Sequence, residues 1–425
     1  MGSGHGHDGI VLTDPLRRRR ANILLSVLLI PVALAALVGT IWLWPGPAAD
    51  RVSLGDPYGT STGVSMRTGT VERTEPGICP SSQGLDDVGG RELTCNLTYV
   101  VPATGGVAVA LEVPPEILAA RDLRPGDRVR FLDLSAASNA MAAPYIFVDF
   151  VRTAPVLLLA ALYALVVCLV ARWRGARAIL GLIGGFCFIA YFMLPALLEG
   201  RPPLLVGLVG SVVIMFGALY FAHGFSARTS TALLGTLFGL GVTAALAIWA
   251  TDAAYLTGAT GEESYLLGSA APELSLSGLL VCGLLIAGLG VLNDVTITQS
   301  SAVWELAEIS PGSSSRELFT SAMRIGRDHI ASTVYTIAFA YAGAALPVLI
   351  LVGMYDRPLL DSLTGGELAE EVVRILVGSI GLVLSIPVTT AVAVAVVKAV
   401  GPGASASPTR QGRRGRRSVT SSTTS

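Results

Sequence analysis

Lysine is almost absent from the sequence, since Lys398 is the only one among 425 residues. A phosphate-binding loop needs a lysine between glycine and a serine or threonine, and Lys398 stands between valine and alanine. This absence excludes an ATP-driven pump built from the chain alone. The chain also has no His-Glu-x-x-His zinc motif. We therefore predict no enzymatic activity, no cofactor and no metal ion.

Charged residues are also scarce, at 14% of the chain with a formal net charge of −1. Proteins that bind nucleic acid carry a clear excess or a localised patch of basic residues, so nucleic acid is not an expected partner. Hydrophobic residues make up 52% of the chain, and the mean hydropathy is +0.65. Soluble domains do not bury so much apolar surface, which makes the lipid bilayer the expected surroundings.

Eight stretches are long and apolar enough to cross a hydrocarbon core of about 30 Å, which takes about 20 helical residues. We predict them at 21–44, 154–171, 178–198, 204–222, 230–250, 274–294, 330–354 and 372–397. The first is too long for a signal peptide and ends in two tryptophans, so we expect an uncleaved anchor. The other seven form a bundle over 154–400.

The distribution of basic residues predicts the orientation, because Arg and Lys in short loops stay on the cytoplasmic side. With the N-terminus inside, basic residues gather before the first span, between the second and third, and after the last. The long segment 45–153 then lies outside. An even number of spans places both termini in the cytoplasm, with 1–20 and 401–425 as disordered tails.

Segment 45–153 has the composition of a small soluble domain, with Pro, Gly, Asp and Arg between short β-rich runs. Five predicted strands fit a small barrel of the OB or SH3 type. Their limits are 64–74, 92–101, 106–113, 128–134 and 145–151. Cys79 and Cys95 are the only cysteines in this domain, and an oxidising outer location favours a disulfide over a paired metal or redox site.

Charged residues inside the apolar spans are few, and the clearest lies near the predicted cytoplasmic end of the sixth span. Asp294 shares a helical face with Gly290 and Thr298 at i, i+4 spacing, and Asn293 lies beside it. Charged groups at membrane depth are costly and commonly functional. Two interpretations stay open: a carboxylate at the mouth of an ion or proton pathway, or a hydrated residue at the end of the span.

Further polar residues flank the spans on the cytoplasmic side. His223 and Arg228 follow the fourth span, where a histidine either carries protons near neutral pH or anchors the helix at the headgroups. Segment 298–330, which includes Arg327 and Asp328, mixes apolar and charged residues and predicts two amphipathic helices separated by a Ser-Pro-Gly turn. These helices either cover the inner mouth of the bundle or lie on the membrane surface.

Several motifs occur together in the second half of the chain. They are Asp294-Val295 followed by Ser300, the helix 315–321, the run 325–328, the span 335–343, and the runs 223–229 and 232–236. In combination they resemble the YibE/F-like family of bacterial multi-pass membrane proteins, whose architecture includes a leading anchor and a small outer domain. The resemblance implies a bacterial plasma membrane location, a suspected transport function, and a cytoplasmic motif at Arg327 and Asp328.

A fainter likeness is to the SecD/SecF branch of proton-driven permeases. Those proteins have a Leu-Asn-Asp run where a span meets the cytoplasm, with two more spans after it, and Leu292-Asn293-Asp294 lies at the equivalent place. Two features depart from that pattern. The acidic and basic pair that follows the run is replaced by Ser300-Ser301, and the loop 199–203 is too short for their large outer domain.

These observations predict an all-α polytopic membrane bundle of about eight transmembrane helices with a small extracytoplasmic β-barrel-like domain. The favoured function is a secondary transporter or permease coupled to protons or cations, with a small ion or solute as its substrate. Its pathway would include Asn293, Asp294, Thr298, His223 and Arg228. The alternative is a membrane-anchored scaffold whose outer domain binds an envelope protein partner without transport.

Overall fold

The computed structural model describes residues 15–46, 64–79, 94–135, 144–260, 264, 266–268, 271–354 and 358–400. The chain divides into two compact units. We call Asp50–Arg172 the β unit, and Met1–Ala49 together with Trp173–Ser425 the helical unit. The predicted tail 401–425 lies outside the described residues, as do residues 1–14 of the other tail. Helix α1 (Pro15–Trp42) begins inside the predicted N-terminal tail.

The β unit contains five strands, as the alternating pattern predicts. They are β1 (Ser65–Ile78), β2 (Thr94–Pro102), β3 (Val109–Glu112), β4 (Arg128–Asp133) and β5 (Tyr145–Phe150), with the short helix α2 (Pro115–Ala120) between β3 and β4. Strand β1 continues to Ile78 instead of ending at residue 74, because it pairs with β4 along its first part and with β2 along the rest. The inward-facing side chains of these strands, among them Val100, Leu111 and Phe131, are fully buried and form the core.

The strand pairings follow the order β1-β2-β3-β5-β4, and β4 pairs back with β1. The link between β3 and β5 consists of one parallel residue pair, Glu112 with Ile146. The other links are antiparallel and several residues long. The pairings thus form a ring of five strands in which one link is a single residue pair, and the predicted small β-barrel-like domain is not confirmed.

All other long elements are helices. They are α3 (Thr153–Phe188), the π-helical turn Ile189–Met193, α4 (Leu194–Leu198), α5 (Pro203–His223), α6 (Ala227–Ala253), α7 (Leu276–Ile309), α8 (Ser315–Ala344), α9 (Leu346–Met354), α10 (Leu359–Leu363) and α11 (Gly366–Val400). By length and composition, six helical tracts among the described residues could cross a membrane. The pair α8 and α9, bent by 65°, makes a seventh if it counts as one span.

The difference from eight predicted spans lies in the tract Thr153–Leu198. The sequence predicts two spans there, and the tract of 46 residues consists of two helices that meet at a kink. The tract is interrupted at Arg172, whose φ of 54° and ψ of −136° are not helical. At 1.5 Å per residue, its 46 residues amount to about 70 Å of helix, which is enough for two crossings of the hydrocarbon core. The boundary between the two compact units also follows Arg172.

The two helices predicted within segment 298–330 are present, and each is part of a longer helix. Helix α7 continues from its apolar half to Ile309, and α8 begins at Ser315 and continues into the next predicted span. The break falls at the predicted turn. Helix α8 begins there because Ser314 and Glu317 form a capping box, in which each side chain accepts a hydrogen bond from the other residue's backbone N–H.

Helices α6, α7 and α11 pack against one another at the centre of the helical unit. Large apolar side chains fill most of their contacts, including Leu240, Leu292 and Ile386. Glycines allow the helices to approach closely where hydroxyl residues face them. A Cβ atom at Gly235 would collide with the Thr389 hydroxyl on α11. Gly235 thus lies at a helix contact, as small residues commonly do in membranes.

Candidate functional site

Asp294 lies in the middle of α7 with its carboxylate on the surface of the chain. Its side chain is 70% exposed, and Gly290 and Thr298 on the same face are exposed as well. The opposite side of α7, which includes Leu292 and Val295, is buried in the core. The predicted polar face is therefore turned away from the centre of the bundle. Because α7 continues to Ile309, Asp294 is also not at the end of its helix.

A histidine on the next helix lies within ion-pair distance of Asp294. Oδ2 of Asp294 lies 3.9 Å from Nε2 of His329 on α8, whose side chain is 30% exposed. Nε2 itself is buried and makes no hydrogen bond within the described residues, and the same holds for Oδ1 of Asn293. Sequence reasoning missed His329. The signal was present, because it is the polar residue immediately before the predicted span 330–354.

The other predicted pathway residues lie elsewhere. His223 ends α5 and is exposed, while Arg228 near the start of α6 is half-buried. The backbone carbonyl of Arg228 accepts a hydrogen bond of 2.9 Å from the hydroxyl of Ser300, which is on the buried side of α7. Arg327 and Asp328 are exposed on α8. The contacts of Asp294 and Arg228 thus involve opposite sides of α7.

Cys79 and Cys95 are joined in the structure, with their Cα atoms 5.4 Å apart. This separation lies within the usual range for disulfides. The bond connects the residue that follows β1 to the start of β2, two strands that pair directly. A carboxylate oxygen of Glu112 and the two sulfur atoms all lie within 4.8 Å of one another. Two thiolates and a carboxylate are zinc ligands, so these three residues could hold a metal ion if the cysteines were reduced.

A cluster of uncharged polar side chains lies inside the bundle, between α6, α7, α8 and α11. The hydroxyls of Thr236 and Thr296 are 2.7 Å apart. The side-chain amide of Gln299 donates to the Thr390 hydroxyl at 2.7 Å and to a carbonyl of α8 at 3.0 Å. The hydroxyl of Thr243, one heptad beyond Thr236, is buried without a hydrogen-bond partner among the described residues. We call these five residues the polar core.

The parts of α6 and α11 that carry the polar core contain no ionisable side chains. Helix α6 has none between Arg228 and Asp252, and α11 has none between Arg374 and Lys398. Sequence reasoning missed this cluster, although its pattern was visible. Threonines recur every seven residues on α6, and hydroxyl or amide residues follow at i, i+3 and i+4 on α7. Burying a polar side chain has a desolvation cost. The presence of five such side chains in one cluster therefore points to a functional role.

Two surface cavities of the helical unit lie away from both features. One, of about 720 Å³, is lined by side chains of α1, including Arg19 and Asn22. The other, of about 710 Å³, lies where α6 ends and α5 and α7 begin, and its lining includes Thr251 and Asp252. Neither cavity is lined by Asp294 or by a residue of the polar core.

The comparisons with known proteins give one match. The family model described as YibE/F-like protein matches residues 159–399, which is more than half of the chain. This range contains the polar core and the pair Asp294 and His329. Neither the curated proteins nor the solved structures give a match, and the SecD/SecF likeness is not confirmed. The prediction made from the motifs is confirmed: the chain is a multi-pass membrane protein that belongs to the YibE/F-like family.

Proposed function

We propose that this protein is a permease, coupled to protons or cations, that moves a small ion or solute across the bacterial plasma membrane. The observation that carries the proposal is the polar core. Its uncharged side chains lie between the three central helices, where the surrounding side chains are apolar and fully buried. A passage through the bundle would run along them.

The energetic argument concerns what these residues contribute to folding. Hydrogen bonds between membrane helices contribute about 0.6 kcal/mol on average, and a buried hydroxyl without a partner, such as that of Thr243, is destabilising. A bundle that serves only as an anchor gains little from such side chains. A passage needs them, because a solute that leaves water requires groups that replace its hydration shell.

The chemistry of the polar core favours a small class of substrates. Hydroxyl and amide oxygens can surround a monovalent cation or form hydrogen bonds with a small polar solute. The lack of charged side chains there disfavours multivalent ions, because their dehydration needs charged ligands. Asp294 keeps its proposed role in coupling, since it is the ionisable residue of α7 nearest to the polar core in sequence.

The proposal also includes an orientation. The arginine distribution supports cytoplasmic termini and a β unit outside the membrane. The proposed transport function involves no enzymatic reaction and no binding of nucleic acid. The alternative function is the scaffold whose β unit binds an envelope partner, and it requires no transport.

The test compares two threonines of α7 that are two positions apart. Thr296→Val removes a hydroxyl from the polar core, and Thr298→Val removes an exposed one from the same helix. Both changes keep the side-chain shape. Wild type and variants are reconstituted in proteoliposomes, and the fluxes of Na⁺, K⁺, protons and small uncharged solutes are measured. We expect about tenfold slower flux for Thr296→Val, because one lost hydrogen bond to the substrate costs about 1.4 kcal/mol.

Thr298→Val should transport at the wild-type rate, because its side chain is outside the polar core. Equal flux in the two variants would contradict a passage along the polar core. No flux of any probe in wild type would contradict transport itself and would favour the scaffold. Monodisperse elution and an unchanged unfolding temperature of each variant show that the comparison concerns folded protein.

A further inference from the structure

The contact between α7 and α8 contains a carboxylate and an imidazole that face each other without a hydrogen bond. The 3.9 Å between Oδ2 of Asp294 and Nε2 of His329 is short enough for an ion pair but too long for a hydrogen bond. A neutral imidazole has no charge to attract the carboxylate. A protonated one does, so the strength of this contact depends on one proton.

The carboxylate and the imidazole differ in burial. The exposed carboxylate is accessible to a proton, and the buried imidazole nitrogen can bind it. Asp294 is largely exposed, whereas Nε2 of His329 is buried and has no hydrogen-bond partner among the described residues. A buried polar atom without a partner is destabilising. Protonated Nε2 carries an N–H group that can donate a hydrogen bond to the carboxylate of Asp294 after a small movement of the side chains. Histidine is the side chain that changes charge between about pH 5 and 8.

The neighbouring helices contribute few competing charges. On α8, Arg327 and Asp328 precede His329 and are exposed. On α7, the next ionisable residue after Asp294 is Glu305, about three helical turns further on. Helix α9 has no ionisable residue, and α6 and α11 have none in their central parts. A change in the charge of His329 therefore alters mainly its electrostatic interaction with Asp294.

The same two helices are also connected through the polar core. Gln299 of α7 donates a hydrogen bond of 3.0 Å to the carbonyl of Ala322 on α8. Asp294 lies on the opposite side of α7, two residues before Thr296. A proton that tightens or loosens the contact between α7 and α8 thus acts on helices that carry the polar core.

We propose that Asp294 and His329 together form the proton-binding site that couples this permease to a proton gradient. The inference rests on the proposed transport function and adds a second residue to the coupling site. One proton binds to Nε2 of His329 and is stabilised by the carboxylate of Asp294. When it leaves, the imidazole is neutral and the attraction between the two helices is lost.

The test uses proteoliposomes with an imposed proton gradient and the solute that wild type transports in the flux panel. His329→Gln and Asp294→Asn each remove one member of the pair while they keep the side-chain size similar. We expect gradient-driven accumulation to fall about tenfold in both, within the usual range of coupling between sites, while downhill flux without a gradient continues. Glu305→Gln is the matched control, because it removes an exposed carboxylate from the same helix.

A double variant with the two residues exchanged, Asp294→His with His329→Asp, tests the pair directly. It keeps the carboxylate and imidazole together, and we expect it to recover accumulation relative to either single variant. Proton release or uptake on addition of the solute to detergent-solubilised protein gives a second readout, which His329→Gln should abolish. Unchanged accumulation and proton exchange in the single variants would overturn the inference and leave transport standing. Absence of all flux in wild type would instead contradict the proposed function on which the inference rests.

Discussion

At the scale of single residues, the environment of a side chain decides its role more than its type does. Asp294 and Asp133 are both carboxylates within regular elements. Asp294 is exposed on α7, while Asp133 is buried at the end of β4. Asp133 accepts hydrogen bonds from the backbone and hydroxyl of Ser135, and Arg67 lies 3.0 Å away. A carboxylate with several partners contributes to stability in its charged form.

Asp133 makes the stability of the β unit depend on pH. Burial raises the pKa of Asp133, but the hydrogen bonds from Ser135 and the charge of Arg67 together lower that pKa below its ordinary value. A lowered pKa in the folded state stabilises the fold above the ordinary value of about 3.9, and this stabilisation is lost as the pH falls through the folded pKa. Asp133→Asn should therefore destabilise the β unit at pH 7 by about 1–2 kcal/mol and have a smaller effect near pH 3.

Hydrogen exchange of the β4 amides in the full-length protein measures this effect, after correction for the pH dependence of intrinsic exchange. Asp122→Asn is the control, because Asp122 is exposed in the same unit. If Asp133→Asn exchanged like wild type at pH 7, the contribution of these hydrogen bonds would be refuted.

At the scale of elements, close helix packing depends on single glycines. Helix α6 approaches α11 so closely that the Thr389 hydroxyl occupies the space where a Cβ atom of residue 235 would be. Gly241 is on the same helix and is exposed, with nothing within 4 Å of its Cβ position. The two glycines therefore separate the effect of helix propensity from the effect of packing.

Gly235→Ala should lower stability by about 1–3 kcal/mol, because the added methyl group forces α6 and α11 apart. Gly241→Ala should leave stability unchanged or raise it slightly, since alanine favours helix over glycine. Thermal unfolding in detergent, followed by tryptophan fluorescence, compares the two. Thr389→Ala should partly rescue Gly235→Ala. A Gly235→Ala protein as stable as Gly241→Ala would show that the helices are not packed as described.

At the scale of the whole molecule, the chain consists of two units with different stabilising forces. The helical unit relies on apolar packing among long helices and on the surrounding membrane. The β unit is small, and the core of its described residues includes one cluster of eight buried side chains. A small domain of this kind depends more on a cross-link.

The disulfide between Cys79 and Cys95 should therefore stabilise the β unit and have little effect on the stability of the helical unit. It joins residues 16 apart in sequence, and a loop of this size stabilises a fold by about 3 kcal/mol on the chain-entropy model. Replacing both cysteines with serine should speed hydrogen exchange in β1 and β2 and leave exchange in α6 unchanged. Mass spectrometry without reduction should find the two peptides linked. Free thiols with bound zinc would contradict the disulfide and support the metal site with Glu112.

Much of the fold could be predicted from local features of the sequence. The apolar runs locate the spans to within a few residues at α5 and α6, and alternating residues with turn signals locate the five strands. The exceptions have local causes. Charges around Arg172 separate the two spans predicted within Thr153–Leu198, and the helix is broken at that residue, although the break is a kink within one tract and not a loop. The apolar runs also end before the helices do, since α7 and α8 extend beyond the bilayer thickness.

The candidate site could be predicted only in part. The sequence by itself determined the membrane class, the family and the elements, because run length, periodicity and motifs are properties of neighbouring residues. Only the tertiary structure decided which side of α7 is buried. Lipid tails and a bundle core are both apolar, so the pattern of a span does not show which face points inward. Asp294 and Thr296 are two positions apart, about 200° around the helix. Helix packing therefore buries Thr296 in the polar core, leaves Asp294 exposed and brings His329 to it from another helix.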